Sequence, residues 1–340
     1  MKASAAIILV NWNGWRDTLE CLGSLLMLEP PVPVIVVDNA SSDGSADKIA
    51  AWCRGEIQTP IQQPVVGVSI PVCAPADLEW AIVGDEDAIL LSLPRILIVQ
   101  SSANRGFAGG NNLGITRAKQ AGTEYFWLLN TDTVVQPDAL DKLVNRAESD
   151  TRLGMLGSSL IYYWRPQEIQ ALGGASFNSR TGVARHIGAG LRLGTSLPGI
   201  DQVEAEMDYV VGASMLVTRA FIDTVGLMCE DYFLYFEEID WAVRAKGHYR
   251  LGYAPDSHVF HKVGGSSRKT ASRTSLRYLY RNRLFFIARH FPQTYLYACA
   301  YLLMQCAQHA RRGHWLDVSE IAGALLRSPG IYRKGIGSMQ

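Results

Sequence analysis

The sequence predicts an α/β fold on a mixed, mainly parallel sheet with flanking helices, followed by C-terminal helices. Three observations carry this: short apolar runs without polar alternation, amphipathic stretches between them, and polar turns closing each run. Residues 5–10 (AAIILV) read as a strand buried on both faces, and 17–28 as a helix with Leu19, Leu22, Leu25 and Leu26 at helical spacing. Residues 34–37 form a second strand, ended by the turn-forming DNASSDGS at 38–45, and a helix follows over 46–52. A strand at 96–99, a helix at 111–121 and a strand at 125–129 complete the rhythm of right-handed β-α-β units. The stretch 55–95, rich in Pro, Gln and Val, reads as an insertion, a small hairpin excursion with no assigned function.

The chain has 340 residues, 48% apolar and 19% charged, which excludes a disordered or low-complexity protein. Six cysteines without a C-x-x-C pair exclude a disulfide scaffold or a cysteine-based zinc module and predict a reduced, cytoplasmic setting. No signal peptide precedes the first strand, and no apolar run suffices for a spanning helix. The net charge of zero hides an asymmetry. Between Asp256 and Asp317 there are ten Lys or Arg and no acid, and Lys269, Arg273, Arg277 and Arg281 recur every four residues. This stripe, with the apolar run 295–307, predicts a helical segment over 265–340 that meets an anionic surface, following a main domain at 1–264. The run of thirteen apolar positions is too short to span a bilayer, so it forms an interfacial or buried helix.

Chemistry concentrates where strands end, as in open parallel sheets. Asn11-Trp12-Asn13-Gly14, the Asp38 turn, the segment from Asn104 through Gly106 and Gly110 to Asn112, and Asn130-Thr131-Asp132 converge on one crevice. No G-x-x-x-x-G-K-[ST] and no G-x-G-x-x-G after the first strand occur, which excludes a P-loop and argues against a dinucleotide fold. Asp132 has two readings: a ligand of a hard divalent cation that also holds substrate phosphates, or the N-cap of a helix over 134–143. Glu237, Glu238 and Asp240 follow the aromatic run YFLYF, where desolvation and like charge raise a carboxyl pKa toward that of a general base. His261 ends a strand beside a glycine turn, where an imidazole can join a metal shell.

The ordered series VNWNG, VVDNASSDGS, NRGFAGGNN, LLNTDT, VGASMLVTR, YFLYFEEIDWAVRAKG and HVFHKVGGSS resembles the family 2 glycosyltransferases of the GT-A fold. Among them it most resembles rhamnosyltransferase-like bacterial members, over roughly residues 4 to 290. The resemblance implies inverting transfer of a sugar, rhamnose from dTDP-rhamnose, to a saccharide or polyprenyl-linked acceptor in surface-polysaccharide assembly. It implies that Asp38, Asn11 and Asn104 meet the donor nucleotide, with Gly106, Gly110, Asn112, Asn130 and Arg268 completing the donor site. Asp132 matches the last Asp of a D-x-D motif whose first position is here Asn130, and His261 the histidine completing a Mg²⁺ or Mn²⁺ shell. Glu238 matches the catalytic base, Glu237 and Asp240 its supporting acids, and Gly212, Ala213, Ser214 and Trp241 the sugar or acceptor side. A nucleic-acid partner is not expected; attachment to the cytoplasmic face of a membrane is. Two other readings are a sugar-nucleotide nucleotidyltransferase, which needs a basic glycine-rich loop that residues 11–14 lack, and a non-catalytic nucleotide-sugar-binding relative.

Overall fold

The structure, a computed structural model, describes residues 4–65, 67–87, 90–263 and 272–337. The first half runs β1 (Ala5–Asn11), α1 (Trp15–Leu25), β2 (Val34–Asp38), α2 (Ser45–Cys53), β3 (Trp80–Gly84), β4 (Ile96–Gln100), α3 (Gly106–Gln120), β5 (Tyr125–Leu129), β6 (Thr133–Val135) and α4 (Ala139–Ser149). There follow β7 (Leu153–Tyr162), β8 (Ile169–Leu172), β9 (Gly174–Asn178), β10 (Val183–His186), α5 (Ile200–Glu206), β11 (Tyr209–Val210), β12 (Ser214–Thr218) and α6 (Arg219–Val225). The last elements are α7 (Glu237–Ala245), β13 (Arg250–His261), α8 (Arg273–His290), α9 (Tyr295–Arg311), α10 (Trp315–Leu326) and α11 (Ser328–Gly337).

The main sheet has the order β3-β4-β2-β1-β5-β12-β7-β13-β6, with β8 on β7; β10, β9 and β11 form a smaller one. Its β3-to-β5 half is parallel, and β12 enters antiparallel between β5 and β7. The uninterrupted apolar runs are explained by helices on both faces. Ile7, Leu9, Val34 and Val36 pack with α1, α2 and α4, whereas Ile8, Ile35 and Val37 pack with α3, α6 and α7.

Two expectations are corrected. The 55–95 stretch is no hairpin: its 80–84 run adds β3 as a parallel edge strand on β4, in register from Trp80↔Ile96 to Gly84↔Gln100. Pairing an otherwise open edge supplies the reason, and a five-residue run inside a Pro/Gln-rich stretch gives no clean period to reveal it. Residues 134–143 are likewise not one helix. Thr133–Val135 is the strand β6, Pro137 interrupts, and α4 starts only at Ala139.

The C-terminal helices share a core with the acidic segment. Tyr232 and Ile239 pack with Leu284, Phe285, Phe286, Ala298 and Ile321. Much of the basic stretch is spent internally. Lys262 is buried between Asp17 and Glu20, each 2.7 Å away, Arg273 pairs with Glu320 at 2.8 Å, and Arg281 donates to the Asp231 carbonyl at 2.9 Å. Lys269 lies outside the described residues, while Arg277, Arg311 and Arg312 are exposed.

Candidate active site

Strand pairing makes the first half of the site. β6 and β13 are antiparallel with Thr133 opposite His261, and the Lys262 N–H donates to the Asp132 carbonyl at 3.0 Å. That register sets Asp132 Oδ1 3.2 Å from His261 Nε2, with the Asp132 side chain about a third exposed. Burial raises the Asp132 carboxyl, but the His261 and Lys262 charges outweigh it and hold it below its ordinary value. His261 Nδ1 lies 2.9 Å from Gln170 Oε1. In the neutral ring, with Nδ1–H donated to Gln170, the His261 charge is gone and Nε2 turns a lone pair toward the carboxylate, so two acceptors face each other. A shared cation satisfies them, and 3.2 Å is close to the roughly 3 Å between neighbouring ligands of an octahedral ion with bonds near 2.1 Å. The pair, with its imidazole fixed by an amide behind it, suits a divalent metal.

The ends of β1 and β2 form a network of side-chain amides. Asn11 Nδ2 donates to Asp38 Oδ1 at 2.7 Å and to Ser41 Oγ at 3.1 Å, and Thr18 donates to Asn11 Oδ1 at 2.9 Å. Asn39 Nδ2 donates to Asn104 Oδ1 (3.1 Å) and the Gly106 carbonyl (3.0 Å). Asn112 is turned away from this group: its Nδ2 donates to the Met228 carbonyl and Glu230 Oε1, both at 2.9 Å. Asn11, Asp38 and Asn104 thus tie the crevice loops together, whereas Asn112, expected in the donor site, anchors α3 to the segment 228–230. The glycines have packing reasons. A Cβ on Gly110 would come 2.7 Å from Val10 Cγ1, so this position seats α3 on β1 and is corrected from a donor contact. Gly106, at φ 68°, leaves no room for a Cβ against the Phe233 carbonyl. Arg268 lies outside the described residues.

The second half of the site is the turn into α7. Phe233, Tyr235 and Phe236 all have left-handed backbones (φ 65°, 67°, 77°), which is costly for bulky residues. Asn282 of α8 holds the turn: its Nδ2 donates to the carbonyls of Tyr232 (2.7 Å), Leu234 (2.8 Å) and Tyr235 (3.1 Å). Replacing it by leucine takes the donor from the part-buried Leu234 and Tyr235 carbonyls and leaves that of Tyr232 with only the Leu234 N–H, at about 1–3 kcal/mol. Asn282→Leu is expected to lower stability by about that amount and to reduce turnover more than donor affinity; unchanged turnover would refute this role.

The acids that follow have different fates. Burial, reinforced by the neighbouring Glu238 charge, pushes the Glu237 carboxyl well above its ordinary value, and its Oε2 has no hydrogen-bond partner. Burial raises Glu238 to about 7, and its half-buried side chain lines a cavity of about 380 Å³ with Tyr209, Tyr235 and His186. Asp240 is corrected from a supporting acid to an anchor. Fully buried, it accepts from Tyr232 OH (3.0 Å) and Arg244 Nε (2.9 Å), and His290 Nε2 lies 2.7 Å away. Burial raises its carboxyl, yet His290, Arg244 and Arg289 hold it below the usual value.

Of the sugar-side residues, Gly212 abuts Glu238 so closely that any Cβ would overlap the carboxylate. Ala213 is buried, its carbonyl accepting from the Asn130 N–H at 3.0 Å. That bond joins the loop leading to Asp132 with the one that seats Glu238. Two residues are corrected. Ser214 sits in the core, sharing hydrogen bonds with Ser158 (2.7 Å) and Trp127 (2.9 Å). Trp241 is fully buried against Phe221, donating to the Gly226 carbonyl at 2.8 Å. Sequence reasoning missed His186, on β10, which lines the Glu238 cavity and rests against the backbone of Gln170, the residue that fixes His261.

Residues 80–189 match the family described as Glycosyl transferase family 2. The low-salt glycan biosynthesis hexosyltransferase Agl10 of Haloferax volcanii is 24% identical over 149 residues, 44% of this chain and 45% of that protein, so the match spans about half of the relative. The mannosyltransferase PcManGT from Pyrobaculum calidifontis, solved with GDP-Man and Mn²⁺, superposes with a TM-score of 0.50 at 14% identity, covering 96% of this chain and 87% of that one. GalNAc-T7, solved with UDP, GalNAc and Mn²⁺, gives 0.54 at 11% identity over 86% of this chain and 51% of its own. At such identities the structural likeness is one of fold. The chain shares the fold of these sugar-transferring enzymes, and over residues 80–189 it is similar to Glycosyl transferase family 2.

Proposed function

We propose that this protein transfers a hexosyl group from a nucleotide-diphosphate sugar to an acceptor hydroxyl, inverting the anomeric centre. The observation that carries the reading is Glu238: a carboxylate raised to about 7 on a cavity wall, linked through Gly212, Ala213 and Asn130 to the Asp132–His261 pair. Glu238 takes the acceptor's proton. The freed oxygen bonds to the anomeric carbon as the bond to the diphosphate breaks, and the nucleoside diphosphate leaves with that electron pair. Mg²⁺ or Mn²⁺ on Asp132 and His261 supplies charge neutralisation for the diphosphate. Asn11, Asp38 and Asn104 shape the crevice for the nucleotide, and the turn held by Asn282 aims Glu238. Among nucleotide sugars we favour dTDP-rhamnose, in bacterial surface-polysaccharide assembly. The test is thermal unfolding with a panel of nucleotide sugars and Mn²⁺: one donor should raise the transition temperature only with the cation, and no response to any donor would refute the reading.

The cavity suggests what the acceptor carries. Phe177, Tyr235, Phe236 and Ile239 line it, and so does Arg283, a buried guanidinium whose Nε has no hydrogen-bond partner. Apolar walls beside a buried cation that Gln305 engages only at Nη1, at 2.7 Å, suit a phosphate attached to an apolar chain, as in a polyprenyl-linked acceptor. Arg283→Gln should raise the KM for a phosphate-bearing acceptor at least tenfold while sparing donor affinity; an unchanged acceptor KM would exclude this contact.

No helix among the described residues is long and apolar enough to cross a membrane. α9 does expose Leu296, Tyr297, Leu303 and Met304 along one face, ahead of Arg311 and Arg312. We take this face as a peripheral contact with an anionic membrane leaflet. Sedimentation with anionic vesicles should fall with Leu296→Glu/Leu303→Glu; equal sedimentation of wild type and variant would rule this out.

A further inference from the structure

Away from the sugar-transfer site, the turn between α9 and α10 gathers three metal-ligating side chains that nothing in the proposed reaction uses. His309 lies in the last turn of α9, His314 precedes α10, and Asp317 lies in the first turn of α10; one ligand atom from each lies within 4.8 Å of the others. The backbone fixes this grouping. Gly313, at φ 74°, reverses the chain, and the His314 N–H donates to the His309 carbonyl at 3.0 Å. The two imidazoles present Nδ1 atoms 3.3 Å apart, and Asp317 Oδ2 lies 4.0 Å from the first of them.

Two features point to an ion. The 3.3 Å between nitrogens equals the edge expected for a tetrahedral site with metal–nitrogen bonds of about 2.0–2.1 Å. The other oxygen of Asp317 accepts from the Tyr280 hydroxyl of α8 at 2.8 Å, an outer hydrogen bond of the kind that orients a ligating carboxylate. Two imidazoles and one carboxylate match borderline transition metals, not Mg²⁺, which prefers oxygen and water.

We propose that His309, His314 and Asp317 bind a divalent transition ion of the zinc class, with a water completing the shell, and that this ion clasps α9 to α10. The site is independent of Asp132 and His261, so the two are separable by mutation. Equilibrium dialysis of the full chain carrying Asp132→Ala, against Zn²⁺ in the presence of millimolar Mg²⁺, should show one Zn²⁺ bound. Adding His309→Ala or His314→Ala should weaken that binding at least tenfold, and Tyr280→Phe should weaken it less. His314 is exposed, so circular dichroism of His314→Ala is expected to match that of the parent. Absence of Zn²⁺ binding in the Asp132→Ala chain, or binding that survives both histidine substitutions, would overturn the proposal and leave the two rings as an ordinary imidazole contact.

Discussion

Glu238→Gln should lower kcat by about 10²–10⁴-fold, the usual worth of a positioned general base, while the donor binds with nearly unchanged affinity. The amide keeps the shape of the side chain against Gly212 but cannot accept the acceptor's proton. Two further signatures separate this from a structural defect. Because burial raises the Glu238 carboxyl to about 7, wild-type kcat/KM should fall about tenfold per pH unit below that value. The sign of the stability effect is opposite to that of an ordinary ion-paired acid. A folded carboxyl with a raised pKa binds its proton more tightly than the unfolded chain does, so this group's contribution to stability is greatest at low pH. It declines as pH rises from about 4.5 toward 7. Removing the ionisable group should therefore make Glu238→Gln melt at a higher temperature than wild type at pH 8. A variant that keeps its turnover, or loses donor binding along with it, would contradict the assignment of the base.

Asp132→Ala should abolish the Mn²⁺-dependent part of donor binding and lower kcat/KM at least about 10²-fold, as loss of several kcal/mol of charge stabilisation requires. Asp132 is also 3.2 Å from His261, so its removal leaves the imidazole without its carboxylate partner. His261→Ala supplies the control: it should weaken the Mn²⁺ dependence while leaving Asp132 in place. Donor protection that persists without Mn²⁺ in the wild type would oppose the metal reading, whatever the variants do.

The parallel half of the sheet was legible because strands buried on both faces must be continuously apolar, and 5–10, 34–37, 96–99 and 125–129 all are. The raised carboxyl of Glu238 was legible from the aromatic run before it, since a chain segment so apolar is buried, and burial raises the group to about 7. What stayed hidden depends on pairing between distant segments. Nothing local to His261 says that β6 will bring Asp132 beside it, and the helix-cap reading of Asp132 fails because Pro137 delays the helix. Trp241, Ser214 and Gly110 illustrate the opposite error: placed beside site residues in sequence, they point into packing that only the folded chain reveals. Asn282 and His186 carry no local signal, since their roles come from α8 and the small sheet closing over the turn.

The decisive experiment is a structure of the protein with a nucleoside diphosphate and Mn²⁺. The cation should be found on Asp132 and His261, and the diphosphate beside the cavity that Glu238 lines. A nucleotide seated elsewhere, or a cation held without Asp132, would contradict this placement.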